Sequence, residues 1–349
     1  MQSFHFKRNN FDFIRLVAAL QVCIVHGYEH FKLTQASLLI EFIKIFPGVP
    51  IFFVVSGFLI SASFERSVSL RVYFENRFLR IYPALWGCFV FSIFILFYSS
   101  NIQFELSSML KWIFAQITFF QFYNPDFIRE YGVGVLNGSL WTIPVELQFY
   151  LVLPVIYLIL RRFKWNGIVL ALVMIFFVLI NFYFITFKNT IGGLYFKLLG
   201  VTVFPYLYMF FLGVLLQRNL NFVERFLFGN FISLFFLYLF FVAVVYYSGG
   251  VYQGNYINPL LSVLLALLTI SAAYSGPNFN RMLKGNDISY GMYIYHMVIV
   301  NFLIESSYFD KYTNFILMIL ITVLVALFSW RFIEKPMLLL KRKSINTRT

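Results

Sequence analysis

His26 sits in an apolar run, eleven residues after Arg15. On an α-helix that spacing returns to within roughly 20° of the same face, about 16 Å further along the axis. Two such side chains can line a polar path through an apolar layer. Imidazole titrates near neutral pH, so His26 is a candidate general base. Each residue also has a local alternative. Arg15 can snorkel to headgroups with Asp12 one turn away, and His26 can be an interfacial histidine bonded to a near neighbour. His30 follows one turn after His26, a spacing that suits metal ligation. Glu29 faces elsewhere and no third ligand is evident, so no metal is expected. Cys23, one turn before His26, is either a thiol able to carry an acyl group or a small buried hydrophobe.

Other ionisable residues stand in similar settings. Glu146 closes the segment Ser139-Leu-Trp-Thr-Ile-Pro-Val-Glu146. Trp141 marks an interface, Thr142 can cap, and Pro144 suits a first helical turn. Glu146 then lies about one turn inside a helix. There it can orient a histidine and stabilise imidazolium, or act as an acid favoured by the helix dipole. Arg77 and Arg80 share a helix face where a helix is expected to begin, with Arg66 and Arg71 before them in the same loop. Paired guanidiniums at a helix N-terminus suit phosphate, and equally suit simple anchoring on the cytoplasmic side. Ser56-Gly57 interrupts an apolar run where a neighbouring helix or a ligand can come close. His296, with Tyr290, Tyr293 and Tyr295, marks either a lined cavity or an interhelical hydrogen bond.

The elements that must position these groups are long apolar helices. The 349 residues are 61% hydrophobic and 12% charged, with 48 Phe, and the mean hydropathy is +0.81. A soluble domain carries roughly 25% charged residues, so this chain lacks the polar surface that water requires. The net charge is +13. Its basic residues fall in short clusters between apolar runs, which is a membrane topology signal and not a nucleic-acid patch. Cys23 and Cys88 read as buried thiols. The first apolar run carries Arg15 and lacks a small-residue cleavage site, so no cleavable signal peptide is expected.

A membrane-spanning helix needs roughly 20 mainly apolar residues, and about ten runs meet that length. They cover 11–28, 45–64, 81–98, 143–160 and 167–187, then 201–217, 226–248, 257–274, 288–304 and 312–332. The stretch 104–123 reads as an interfacial helix, because Glu105 and Lys111 break it. With the N-terminus in the cytoplasm, alternate loops put most of the 27 Lys and Arg inside. That set includes Lys7, Arg8, Arg161, Arg162, Lys164, Arg218, Arg225, Arg281, Lys284, Lys335, Lys341, Arg342 and Lys343. The expectation is an all-α polytopic membrane protein, both termini cytoplasmic, forming one domain over 1–349 with a short basic tail at 333–349.

These residues together resemble acyltransferase family three, the multispanning bacterial acyltransferases that O-acetylate surface polysaccharides. The motifs are Asp12-Phe-Ile-Arg15 with His26, Ser56-Gly57, Arg77-Phe-Leu-Arg80-Ile-Tyr82-Pro83, Leu140-Trp141 to Glu146 and Tyr150, Ser289-Tyr290 to His296, and Phe332-Ile-Glu334-Lys335-Pro336. Each is weak alone, but the ordered set covers nearly the whole chain. The resemblance implies a bacterial cytoplasmic (inner) membrane enzyme that uses cytoplasmic acetyl-CoA. Its acceptor would be an external glycan such as O-antigen, capsule or exopolysaccharide, free or lipid-linked. It implies His26 as base and Glu146 as its assistant. Arg15, Arg77, Arg80, Tyr82 and His296 fall to the donor side, and Ser139, Trp141 and His30 to the acceptor side. Some members carry an extra soluble hydrolase-like domain, which is not evident here, so direct transfer or a separate partner is expected. The alternatives are a transporter or flippase for a glycan lipid, which shares midplane charges, and a membrane sensor or scaffold. No internal repeat supports the first, and the second leaves the intramembrane charges without a purpose.

Overall fold

Apolar runs become helices almost throughout. The computed structural model describes residues 9–100, 103–163, 167–188 and 192–341, and no strand occurs among them. Lys7, Arg8, Lys164, Arg342, Lys343 and the tail from 342 onwards lie outside the described residues.

In chain order, α1 covers Phe11–His30, α2 Ser37–Lys44, α3 Gly48–Arg66, α4 Leu70–Ser99 and α5 Leu106–Ile117. A 3-10 turn, Gly138–Trp141, leads into α6, Thr142–Arg162. Then follow α7 Gly167–Lys188, α8 Gly193–Leu199, α9 Leu207–Arg218, α10 Leu220–Phe226 and α11 Phe231–Tyr247. The last are α12 Pro259–Tyr274, α13 Asn280–Leu283, α14 Ser289–Ser306, α15 Lys311–Ser329 and α16 Lys335–Leu339.

Among the described residues, six stretches are long and apolar enough to cross a membrane, and up to eight if each of two bent pairs is one span. The chain is therefore a multi-pass membrane protein. The bent pairs are α8 with α9, at 55°, and α10 with α11, at 91°. Pro205 lies in the 3-10 turn Phe204–Tyr206 that follows the first break, and Gly229 in the second has φ +74°. Proline removes a ladder donor, and only glycine takes positive φ without strain. The other two expected runs became α12, with 16 residues, and α14, with 18 residues but too many polar ones for the same criterion. The 12 residues of α5 rise about 18 Å, too short for the bilayer core.

One expectation is corrected. α4 starts at Leu70, so Arg77 and Arg80 lie in its third turn and not at its N-terminus. The Ser69 hydroxyl caps Val72 N at 3.3 Å, and Arg71 pairs with Glu75 one turn on at 2.8 Å. These local bonds sustain a helix through a stretch too charged to register as apolar. The helix dipole is spent by the third turn, so phosphate binding at these arginines would rest on the side chains alone.

The helices form two compact units. The first holds α1 up to Ala18, residues 44–66, and 145–285, hence α3, most of α6, and α7 to α13. Its tightest crossing joins α3 and α9. A side chain at Gly57 would meet the Phe210 backbone carbonyl, and one at Gly213 would meet that of Val54. In lipid no hydrophobic force draws helices together, so such close backbone packing supplies the attachment. Phe210 also stacks on Phe149, with centroids 4.0 Å apart. Nearby, Ser61 hydrogen-bonds Tyr157 and Gln217 at 2.5 and 2.7 Å. Tyr157 and Gln217 both donate to Glu65, which also pairs with Arg218.

The second unit holds the rest of α1, α2, α4, α5, the start of α6, and α14 to α16. At its centre, α14 is buried without a break from Ser289 to Asn301, as expected of a helix enclosed all round. Gly291 lets Ala326 of α15 approach closely. Asp310 caps α15, accepting from Tyr312 N and Thr313 N at 2.9 and 3.2 Å. α15 ends in a π-helical turn, Trp330–Glu334. Pro336 follows it and cannot donate to the carbonyl four residues back, so the ladder must loosen there.

Candidate active site

In the second unit, α1 and α14 bring two histidines together. Nδ1 of His26 lies 2.9 Å from Nε2 of His296, with the rings nearly parallel at 27° and centroids 5.2 Å apart. His296 is fully buried and His26 half-buried. Nδ1 of His296 faces the carbonyls of Tyr293 and Met292 at 2.8 and 3.2 Å. These carbonyls belong to residues three and four back, so the helix itself orients the ring. His30 lies edge-on to His26, with centroids 5.9 Å apart. Cys23 is buried and reduced, its thiol 3.6 Å from the Met292 carbonyl.

The segment leading into α6 packs on the same turn of α14. Asn137 donates to the Ile294 carbonyl at 2.7 Å. Ser139, buried completely, lies 3.1 Å from the Tyr293 carbonyl. The Thr142 hydroxyl reaches the Tyr293 hydroxyl at 2.9 Å. Thus Ser139 and His296 share one carbonyl. Trp141 is half-buried in the 3-10 turn before α6.

Nine positions before His296, Asp287 accepts from Arg80 at 2.5 Å. Both side chains are nearly buried, at 14% and 10% exposure. The other Asp287 oxygen accepts from the Ser289 hydroxyl and amide at 2.5 and 3.3 Å, so the same carboxylate starts α14. Tyr82 donates to the Thr118 carbonyl at 3.3 Å and stacks on Phe78 at 4.8 Å. Its described bonds hold α5 against α4. Arg77 is half-buried on α4.

The first unit gathers a different set. Glu146 lies in the second turn of α6 and is half-buried. Its Oε1 accepts from Ser56 at 3.3 Å and from Tyr150 at 2.5 Å. Two residues from two sequence motifs, Ser56 and Tyr150, thus share the Glu146 carboxylate. Arg15, half-buried on α1, belongs to this unit.

Sequence reasoning did not foresee Asp287 as the partner of Arg80, nor Asn137. Asp287 left a signal: an acid two residues before a serine that opens an apolar run is a helix-start pattern. Asn137 left none, since it lies in a loop. Among the described residues no group of three His, Cys, Asp or Glu could hold a metal ion.

The amino-acid sequence matches known proteins over its length. A family model described as an acyltransferase domain matches residues 8–334. Nodulation protein 10 of Rhizobium leguminosarum bv. viciae is 31% identical, over 98% of this chain and 96% of that protein. The O-acetyl transferase of Shigella phage Sf6 is 26% identical, over 95% and 96%. The peptidoglycan O-acetyltransferase OatA of Listeria monocytogenes is 26% identical over 83% of this chain, which spans only 51% of that relative. No solved structure matches the chain. The family match takes in residues of both units, from Arg15 to Glu334, and the chain belongs to this acyltransferase family.

Proposed function

We propose that the protein is an O-acetyltransferase that moves an acetyl group from cytoplasmic acetyl-CoA to a hydroxyl of an external cell-surface glycan. The observation that carries this reading is the imidazole of His26, half-buried in an apolar helix and hydrogen-bonded on one ring nitrogen by a second, fully buried histidine. That is the setting of a general base and not of a surface histidine. Two of the relatives named above are called O-acetyltransferases, one of them for peptidoglycan, which supports both the reaction and the acceptor class. On this reading the protein lies in a bacterial cytoplasmic membrane with both termini inside. α12 and α14 also cross, making ten spans in a single acyltransferase domain.

The chemistry follows from the residues. His26 takes the proton of the acceptor hydroxyl as its oxygen attacks the acetyl carbonyl carbon. The tetrahedral intermediate then expels the CoA thiolate, which recovers that proton from His26. CoA is multiply anionic and cannot enter lipid, so Arg77 and Arg80 receive its phosphates, with Asp287 holding Arg80 in place. From Asp287 to His296 is nine residues, about 13 Å of helix, which an extended pantetheine arm can bridge. Tyr82 belongs to the donor path, and Trp141 and His30 to the acceptor side.

The test is acetyl transfer by protein in lipid nanodiscs, with radiolabelled acetyl-CoA and a surface-glycan extract. Wild type should label the glycan, and His26→Ala should lose about 10²- to 10⁴-fold, the usual worth of a general base. Movement of a glycan lipid across vesicles without label transfer would favour a flippase and refute the proposal.

A further inference from the structure

His296 lies in the same unit as His26 and touches it, and the hydrogen bonds around the pair allow only one arrangement of protons. A carbonyl oxygen accepts and never donates. Nδ1 of His296 faces two carbonyls, of Tyr293 and Met292, so that nitrogen carries the proton. In a neutral ring Nε2 is then a bare acceptor. Nδ1 of His26, 2.9 Å away, must therefore donate. The remaining nitrogen of His26, Nε2, is left with its lone pair, and no described residue hydrogen-bonds it.

The opposite assignment has His296 donating from both nitrogens. That makes it an imidazolium with no solvent exposure and, among the described residues, no hydrogen bond to a carboxylate. An unpaired buried cation of this kind is strongly disfavoured.

We infer that His296 is a positioning residue for the acyl-transfer step: its Nε2 fixes His26 in the tautomer whose Nε2 is the free base. This rests on the acetyltransferase reading for the reaction, but not for the tautomer. The resemblance had put His296 with the donor-binding residues. The geometry assigns it instead to the base.

The arrangement gains strength during the reaction. When Nε2 of His26 takes the acceptor proton, the ring becomes imidazolium and its Nδ1–H bond to His296 becomes charge-assisted, roughly doubling in strength. His296 stays neutral throughout, because both its nitrogens are already committed. The relay resembles the buried acid behind a catalytic histidine in its geometry, with an uncharged acceptor replacing the carboxylate. In a low-dielectric site a neutral partner avoids the desolvation cost of a second charge. Ser139 contributes at one remove, through the Tyr293 carbonyl it shares with His296.

The test pairs two variants with one spectroscopic readout. His296→Gln keeps an oxygen that can accept from Nδ1 of His26 and an amide that can donate to Tyr293. His296→Leu keeps approximate bulk and removes both. The acetyl-transfer kcat should fall about 10- to 100-fold in H296L, the range seen for groups that orient a ligating or reacting side chain. It should stay within about fivefold of wild type in H296Q, with KM for acetyl-CoA unchanged in both. Independently, ¹⁵N-histidine NMR of the protein in nanodiscs should show His26 protonated at Nδ1 and bare at Nε2 in wild type and H296Q, and a tautomer mixture in H296L. A wild-type His26 protonated at Nε2 would overturn the inference, as would an H296L enzyme within threefold of wild type. If wild type transfers no acetyl group but shows the expected tautomer, the catalytic reading fails while the assignment of the protons stands.

Discussion

Asp287→Ala tests how far the second unit depends on one ion pair. The Arg80–Asp287 contact is 2.5 Å long and nearly closed to solvent. Removing one partner from a buried pair costs about 3–5 kcal/mol. The same substitution removes the acceptor for the Ser289 amide and hydroxyl. Losing that cap adds about 0.5–2 kcal/mol. The two penalties sum to roughly 4–7 kcal/mol. That is a large part of the usual stability of a folded domain. The assay is unfolding in mixed micelles, followed by tryptophan fluorescence, for D287A, R80M and the double variant. The double variant removes both charges together, so it should recover about 3 kcal/mol relative to the sum of the single losses. Asp287→Asn should be intermediate, since it keeps the cap acceptor and loses the charge. Strict additivity in the cycle, or a D287A protein within 1 kcal/mol of wild type, would refute the argument that the pair is buried and coupled.

Three further outcomes are expected. Gly57→Val should destabilise the first unit by about 1–3 kcal/mol or more, read by the same unfolding assay, because its Cβ would collide with the Phe210 carbonyl; an unchanged midpoint would mean that α3 and α9 are not closely crossed. Cys23→Ala should retain acetyl transfer within a few-fold, since the thiol is buried and bonded to a carbonyl; loss of transfer with normal insertion would point to a covalent acyl carrier. The Asp310 carboxyl is held below its usual 3.8, first by the Thr313 hydroxyl and then by the Thr313 and Tyr312 amides. A depressed value means the cap is complete above pH 3.8 and is lost as pH falls through the lowered value. The amide shifts of Tyr312 and Thr313 should titrate with that midpoint, and Asp310→Asn should abolish the titration.

Much of the helical layout was legible because length and apolarity are properties of contiguous residues. The runs at 11–28 and 167–187 became α1, Phe11–His30, and α7, Gly167–Lys188. The start of α4 was not legible, since its first turns hold charged side chains that a hydropathy window reads as loop. Nor were the two bends, which depend on how Pro205 and the chain at Gly229 are packed. At the site, His26 and His296 each stood out as an ionisable group in apolar sequence, which signals that a partner must exist. Which partner was not legible, because 270 residues separate them and periodicity reports a face without saying what the face meets. The orientation of His296 was partly within reach: carbonyls three and four residues back are always at hand on a helix. The Ser56–Glu146–Tyr150 cluster was half legible, since Glu146 and Tyr150 are one turn apart on the same helix.

The enclosed polarity of α14 bears on how the protein is made. Its tyrosines, His296 and Asn301 are covered by protein on every side, and Asn301 spends its amide on the Val135, Leu136 and Met297 carbonyls. Alone in lipid, the same helix would expose those groups to hydrocarbon. It is therefore poorly suited to leave the translocon as a solitary segment. Only four residues separate its end at Ser306 from the start of α15 at Lys311, so the two can enter as a hairpin, with α15 shielding α14 from the moment of insertion. His26 and His296 stand 270 residues apart, so the contact between them waits until α14 has been made, long after α1 has emerged.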